Sequence, residues 1–170
     1  MDLKKIIRDV PDFPKKGVIF KDITPLLGNK EALKQSIDQL TANYKNKQID
    51  KIVSMESRGF ILGSALAYTL GCGFVPVRKK NKLPWQTVSI TYDLEYGTDT
   101  LEMHKDACSA GENILIVDDV LATGGTALAV TKIIENLGAK VTGLCFLIEL
   151  SFLNPRKKLE GREIFSLLTY

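Results

Sequence analysis

Three cysteines, one histidine, one tryptophan and no apolar run long enough to cross a bilayer are what this 170-residue chain has least of. Each scarcity removes a class of function. Cys72, Cys108 and Cys145 are odd in number and widely spaced, so they make neither a disulfide framework nor a metal-ligand cluster and are expected to pack as small reduced hydrophobes, as in a cytosolic protein. His104 stands alone, without an Asp or Ser at triad-like spacing, which argues for a surface or loop role over general-base work. The stretch from Met1 to Pro14 has no hydrophobic signal core, so the expected location is cytoplasmic, with no membrane partner. A net charge of +3 and an isoelectric point of about 8.7 are too mild to imply nucleic acid, but suit a small anionic substrate. There is no Walker pattern and no Rossmann glycine fingerprint; Gly71 and Gly73 follow a helical stretch and read as a helix stop. With 45% hydrophobic residues and no Pro/Gly/Ser-rich linker, the expectation is one domain over residues 1–170, with a lead-in over about 1–30 and a flexible loop over about 80–110.

What the chain does contain is the run from Ile114 to Thr126, an apolar strand that ends in Asp118 and Asp119 and passes into Ala122-Thr123-Gly124-Gly125-Thr126. The β-branched residues favour a buried parallel strand, and the glycine pair lets backbone N–H groups approach an anion where a helix begins. A loop built only for phosphate would avoid neighbouring carboxylates, whereas Asp118 and Asp119 can accept hydrogen bonds from the hydroxyls of a ribose carrying that phosphate. Strand, acidic turn and Gly-Gly helix entry are also ordinary punctuation in α/β proteins.

Around this run strands and helices alternate. Leu3 to Val10 has weak helical spacing, and the segment to Gly28, with Pro11, Pro14 and Pro25, reads as an ordered, irregular lead-in. The spacing predicts helices over Glu31–Tyr44, Gly59–Leu70 and Thr126–Leu137, and strands over Ile49–Met55, Phe74–Arg78, Asn113–Val117 and Val141–Ile148. The fold class is α/β, a mostly parallel sheet with helices on both faces. Between Lys79 and Glu112 two threonine-rich stretches around Glu95-Tyr96-Gly97 read as a projecting hairpin or mobile loop. Ligands of such sheets bind beyond the carboxyl ends of the strands, so residues following each strand should converge.

Beside this run two further groups meet that test, those after Met55 and after Arg78, while Glu95 and the lead-in aromatics are separate candidates. Glu56-Ser57-Arg58-Gly59 can hold a diphosphate with free N–H groups and an arginine fork, or can be a helix start capped by Ser57. Arg78, Lys79, Lys80 and Lys82 can neutralise a pyrophosphate leaving group, or form a solvated basic turn. Glu95 can act as acid or base on a closing loop, or be one exposed carboxylate among several. Phe13 and Phe20 in the lead-in can stack on a flat base while neighbouring backbone groups read its edge, or anchor a loose segment.

The string Val117 to Thr126 resembles the 5-phosphoribosyl-1-pyrophosphate (PRPP) motif of the type I phosphoribosyltransferases. The resemblance extends over nearly the whole chain to the adenine phosphoribosyltransferases. It is carried by Pro11-Asp12-Phe13-Pro14, Gly17-Val18-Ile19-Phe20-Lys21-Asp22-Ile23, Glu56-Ser57-Arg58-Gly59-Phe60, Val77-Arg78-Lys79 with Lys82-Leu83-Pro84, Leu94-Glu95-Tyr96-Gly97 and Phe165-Ser166-Leu167-Leu168. It implies the type I phosphoribosyltransferase fold, with an N-terminal hood and a mobile catalytic loop, and conversion of adenine and PRPP to AMP and pyrophosphate. Mg2+ would be held mainly through PRPP, pyrophosphate and water, with no dedicated protein ligands, and the enzyme would be a homodimer.

By that resemblance Asp118 and Asp119 hold the ribose, and Ala122, Thr123, Gly124, Gly125 and Thr126 the 5-phosphate. Glu56, Ser57 and Arg58 form the pyrophosphate loop, where the family often has a non-proline cis peptide, and Arg78, Lys79 and Lys82 also face pyrophosphate. Ile19 and Lys21 read adenine through their backbones, Phe20 packs on the ring, Glu95 acts at the purine N7, and Tyr96 helps to close the loop. Departures are Glu56 where many relatives have Asp, Lys21 for a common Arg, and Trp85-Gln86 in place of smaller residues. Alternatives are a transferase for a 6-oxopurine such as hypoxanthine or guanine, and a PRPP-binding regulator without catalysis.

Overall fold

The computed structural model describes residues 1–93 and 97–170. The chain divides into two compact units, Met1–Gln39 and Leu40–Tyr170. In the first, strands β1 (Arg8–Pro11) and β2 (Ile19–Asp22) pair antiparallel, with Val10 opposite Phe20 and Pro11 opposite Ile19. Their connection is held by Asp12, whose Oδ1 accepts from the Gly17 N–H at 2.7 Å, and by an edge-on contact of Phe13 with Phe20 at 5.2 Å. The Asp22 carboxylate accepts from the N–H and hydroxyl of Thr24, each at 2.9 Å, at the start of α1 (Thr24–Leu27). Asn29 does the same for the N–H groups of Glu31 and Ala32 at the start of α2 (Lys30–Ala42), because a short side-chain oxygen can satisfy N–H groups that have no helical partner. The weak helical spacing over Leu3–Val10 yields a single 3-10 turn, Leu3–Lys5, followed by β1. Val10 is β-branched and precedes a proline, and both features favour extended backbone.

The second unit is built on a seven-stranded sheet. Its strands are β3 (Lys51–Met55), β4 (Gly73–Lys79), β5 (Thr87–Asp93), β6 (Thr98–His104), β7 (Asn113–Leu121), β8 (Lys140–Glu149) and β9 (Ile164–Thr169), in the order β5-β6-β4-β3-β7-β8-β9. The pairings β3–β4, β3–β7, β7–β8 and β8–β9 are parallel, while β6 runs antiparallel to β4 and β5. Side chains alternate between faces of a strand. Val53, Met55, Ile114, Ile116, Leu144 and Phe146 therefore share one face, where they form a buried cluster with Ala127, Val130, Ile133 and Ile134 of α4 (Gly125–Asn136). Ser54, on the opposite face, meets α3 (Arg58–Leu70), so helices cover both sides as expected. Gly71, at φ 70°, ends α3 in the left-handed conformation that glycine adopts without strain.

Two boundaries differ from the sequence expectation in ways that matter for the site. First, β7 continues past Val117 to Leu121, because β8 stays apolar to Ile148 and supplies ladder partners: Asp118 lies opposite Phe146 and Val120 opposite Ile148. Asp118 and Asp119 are therefore strand residues and do not follow the strand. Second, the stretch after Lys79 does not project alone. It forms the β5–β6 hairpin, which joins the main sheet through Arg78 opposite Glu102 and Lys79 opposite Leu101, and turns Val88, Ile90 and Tyr92 onto the core. His104 closes β6 as a half-buried residue, not a surface loop residue. No helix among the described residues is long and apolar enough to cross a membrane.

Candidate functional site

The carboxyl ends of β3, β4 and β7 bring the three sequence groups together. From β3 the chain passes through Glu56 and Ser57, joined by a cis peptide, into α3. Ser57 occupies the N-cap position without a side-chain hydrogen bond to the helix. Glycine at two positions permits close approach: an added Cβ at Gly59 would stand 2.4 Å from Asp118 Oδ1, and one at Gly63 would stand 1.9 Å from Ser54 Oγ. The first turn of α3 is thereby seated directly on the acid-bearing end of β7.

Charge pairs link the groups. Arg58 Nε lies 2.7 Å from Asp119 Oδ2 as an ion pair that lacks hydrogen-bond alignment. Arg78 donates from Nε to Glu56 Oε2 at 2.7 Å and from Nη1 to the Lys82 carbonyl at 3.1 Å, so it braces the turn after β3 and the turn after its own strand. Lys79 Nζ stands 3.4 Å from Asp99, and the Asn81 N–H donates to the buried Glu102 carboxylate at 3.0 Å. The adjacent acids differ in character. Burial first, and the neighbouring Asp119 charge second, push the Asp118 carboxyl well above the usual range, although its Oδ1 accepts from the Asp119 N–H at 2.9 Å.

The loop after β7 enters α4 through Gly124 at φ 82°, where an added Cβ would also stand 2.9 Å from the Pro155 carbonyl oxygen. Thr123 Oγ1 accepts from the Gly125 N–H at 3.5 Å, and Thr126 Oγ1 shares a 3.2 Å hydrogen bond with the Tyr92 hydroxyl. The N–H groups of the first turn of α4 have no partner within their helix, which makes this end suited to holding an anion.

Ile19, Phe20 and Lys21 stand on β2 in the first unit, with Lys21 Nζ 2.7 Å from Asp9 Oδ1. Glu95 and Tyr96 lie outside the described residues. Sequence reading missed Tyr92, Asp99 and Glu102. The first two could have been found by folding the hairpin symmetrically, since the observed register sets Tyr92 opposite Asp99. No cluster of three or more His, Cys, Asp or Glu able to hold a metal occurs among the described residues.

Comparison with known proteins supplies the family. Residues 25–165 match the phosphoribosyl transferase domain model. The adenine phosphoribosyltransferase of Thermotoga sp. (strain RQ2) is 56% identical over 170 residues, covering 100% of both chains. The crystal structure of adenine phosphoribosyltransferase from Thermoanaerobacter pseudethanolicus superposes with a TM-score of 0.97 at 53% identity, covering 99% of this chain and 98% of that one. The Saccharomyces cerevisiae enzyme, crystallised with adenine and an imino-altritol bisphosphate, gives 0.92 at 42% identity, covering 98% and 97%. A strand carrying paired acids near its end, a glycine-entered helix and a basic turn at the carboxyl end of one sheet, in a chain this similar throughout, identify it: the chain belongs to the phosphoribosyltransferase family, among the adenine phosphoribosyltransferases.

Proposed function

We propose that this enzyme transfers the 5-phosphoribosyl group of PRPP to adenine, giving AMP and pyrophosphate in purine salvage. The observation that carries the reading is the Arg58–Asp119 contact, which joins a basic diphosphate-binding turn to the acids of the ribose-phosphate strand. The 5-phosphate sits on the Ala122, Thr123, Gly124, Gly125 and Thr126 loop. Asp118 and Asp119 accept from the ribose hydroxyls, and Arg58, Arg78, Lys79 and Lys82 face the pyrophosphate with Glu56 and Ser57. As the bond from ribose C1 to pyrophosphate oxygen breaks and the bond from C1 to adenine N9 forms, positive charge develops on the sugar and negative charge on the leaving group. Carboxylates on one side and cations on the other favour that separation.

Adenine presents a donor at N6 and an acceptor at N1, which one main-chain carbonyl and one main-chain N–H at Ile19 and Lys21 can select, with Phe20 on the ring. A 6-oxopurine reverses both groups and leaves them unpaired at about 1–3 kcal/mol each. Glu95 acts at N7 and Tyr96 helps to close the loop. The donor set suits Mg2+ carried by PRPP: a hard ion that keeps waters and phosphate oxygens would be held mainly through PRPP, pyrophosphate and water beside the Asp118 and Asp119 carboxylates, and when bound it would neutralise charge on the diphosphate. Homodimer formation is part of the proposal, supported by exposed Ile61 and Tyr68 on α3, and so is a cytoplasmic location, supported by three free cysteines. The test is AMP formation from adenine, PRPP and Mg2+, with hypoxanthine and guanine in parallel and Glu95→Gln alongside. Adenine-only turnover that falls at least about tenfold in the variant is expected. Turnover only with a 6-oxopurine, or PRPP binding without turnover on any purine, would overturn the reading.

A further inference from the structure

One rung of the β5–β6 hairpin touches both phosphate regions of the site. Tyr92 and Asp99 are direct cross-strand partners, and opposed residues of an antiparallel pair project on the same face. Tyr92 reaches Thr126 at 3.2 Å and Asp99 reaches Lys79 at 3.4 Å. Burial holds the half-buried Tyr92 phenol above its usual range, with Asp99, Lys79 and Asp118 all contributing to its electrostatic surroundings. At neutral pH the phenol is therefore a protonated donor.

We infer that Tyr92 is a positioning residue that orients the Thr126 hydroxyl toward the 5-phosphate of the substrate, an inference that rests on the proposed reaction's use of the Thr126 loop. The chemistry is a matter of proton count. A phosphate dianion offers only acceptors, so Thr126 must spend its single O–H on it. The Thr126 oxygen then acts toward the protein only as an acceptor, and the Tyr92 O–H is the group in place to donate to it. The chain Tyr92 O–H to Thr126 Oγ1 to phosphate is polarised in one direction, and each bond strengthens the next. In the absence of ligand either hydroxyl can donate; phosphate selects one orientation. The phenol touches no reacting atom, so its effect is on 5-phosphate capture and not on the chemistry at C1.

The test is calorimetric binding of two separate probes, ribose 5-phosphate and inorganic pyrophosphate, to wild type and Tyr92→Phe, with the melting temperature read beside them. Loss of one neutral hydrogen bond corresponds to roughly a three- to tenfold loss of affinity. That loss is expected for ribose 5-phosphate, with pyrophosphate affinity unchanged, the KM for PRPP raised and the KM for adenine unchanged. In a Thr126→Val background Tyr92→Phe should add nothing further, while in Thr126→Ser, which keeps the hydroxyl, its effect should return. Unchanged ribose 5-phosphate affinity, equal losses for both probes, or full additivity with Thr126→Val would overturn the inference. Should Tyr92→Phe not fold, difluorotyrosine introduced at position 92 keeps ring and hydroxyl but titrates at lower pH. Its ribose 5-phosphate affinity should fall as pH rises through that titration while wild type holds steady; parallel pH profiles would be equally fatal. Absence of AMP formation by wild type would instead strike the proposed reaction and leave the binding comparison readable.

Discussion

Gly63→Ala is a demanding test of how α3 is held on the sheet. The added methyl would stand 1.9 Å from Ser54 Oγ, 2.9 Å from Ser54 Cβ and 3.1 Å from a Phe74 ring carbon. Comfortable contacts between such atoms lie near 3.5 Å, so helix and strand must separate by about 1.5 Å or Ser54 must be displaced within a fully buried strand. Overpacking of this kind costs about 1–3 kcal/mol, and the upper end applies because turning the Ser54 hydroxyl aside still leaves its Cβ at 2.9 Å. Replacing a mid-helix glycine by alanine returns about 1 kcal/mol. The net loss of about 2 kcal/mol should lower the melting temperature by about 4–8 °C for a chain of this size. Ser54→Ala alone should be neutral or slightly stabilising, since its hydroxyl is buried without a hydrogen-bond partner among the described residues. Combined with Gly63→Ala it should recover part of the loss, because the 2.9 Å clash with Cβ remains. Scanning calorimetry of the two single variants and the double variant decides the matter. A Gly63→Ala protein that melts at or above wild type would refute the claim that the small side of α3 sets its distance from β3.

Asp118→Asn should raise the melting temperature at pH 7 while weakening PRPP binding by at least about tenfold. An acid whose folded pKa is raised stabilises the fold below its unfolded value near 3.8 and loses that contribution as pH rises through the higher folded value. The advantage of the variant should therefore shrink toward pH 4, and equal melting of both proteins at pH 7 would contradict it. Glu149 behaves in the opposite sense. Its carboxyl is held below the usual range first by Arg156, which donates from Nε and Nη2 at 2.8 Å each. That stabilisation is present above the unfolded value near 4.5 and is lost as pH falls through the lower folded value. With Arg156 about half exposed, Arg156→Met should cost about 1–3 kcal/mol at neutral pH and progressively less in acid, as read from urea unfolding across pH.

The core elements were legible because apolar runs such as Ile114 to Val117 have no other stable use than a buried strand. The residues proposed for the diphosphate turn and the phosphate loop stood out for a related reason: cations and glycines follow such strands at the carboxyl end of the sheet, where ligands of α/β sheets bind. The extension of β7 through the two acids was not, because backbone pairing does not depend on the side chain it carries and is decided by the length of β8. Strand β9 was hidden for a similar reason, since Ile164 to Thr169 gains its partner only from β8, an edge fixed by the rest of the sheet. The hairpin was read as polar because its threonines outnumber Val88, Ile90 and Tyr92 on the other face. Tyr92 and Asp99 acquire their meaning only from register, a long-range property. Glu56, Arg58, Asp119 and Arg78 were recognised as types, but their pairing into Arg58–Asp119 and Arg78–Glu56 depends on a spatial adjacency that no local pattern encodes.

Those pairings bear on how a polyanion is captured. Arg58, Arg78 and Lys79 each already hold an acid of this chain, so these three cations present little unbalanced charge to solution and exert little pull beyond a Debye length of about 8 Å at physiological ionic strength. On the proposed reaction, binding would be an ion exchange: the incoming phosphates would take over these cations, and the freed Asp119 carboxylate would turn to a ribose hydroxyl. Discrimination falls on ligands that bring acceptors for the one set and donors for the other together, which an isolated phosphate or an isolated sugar does not.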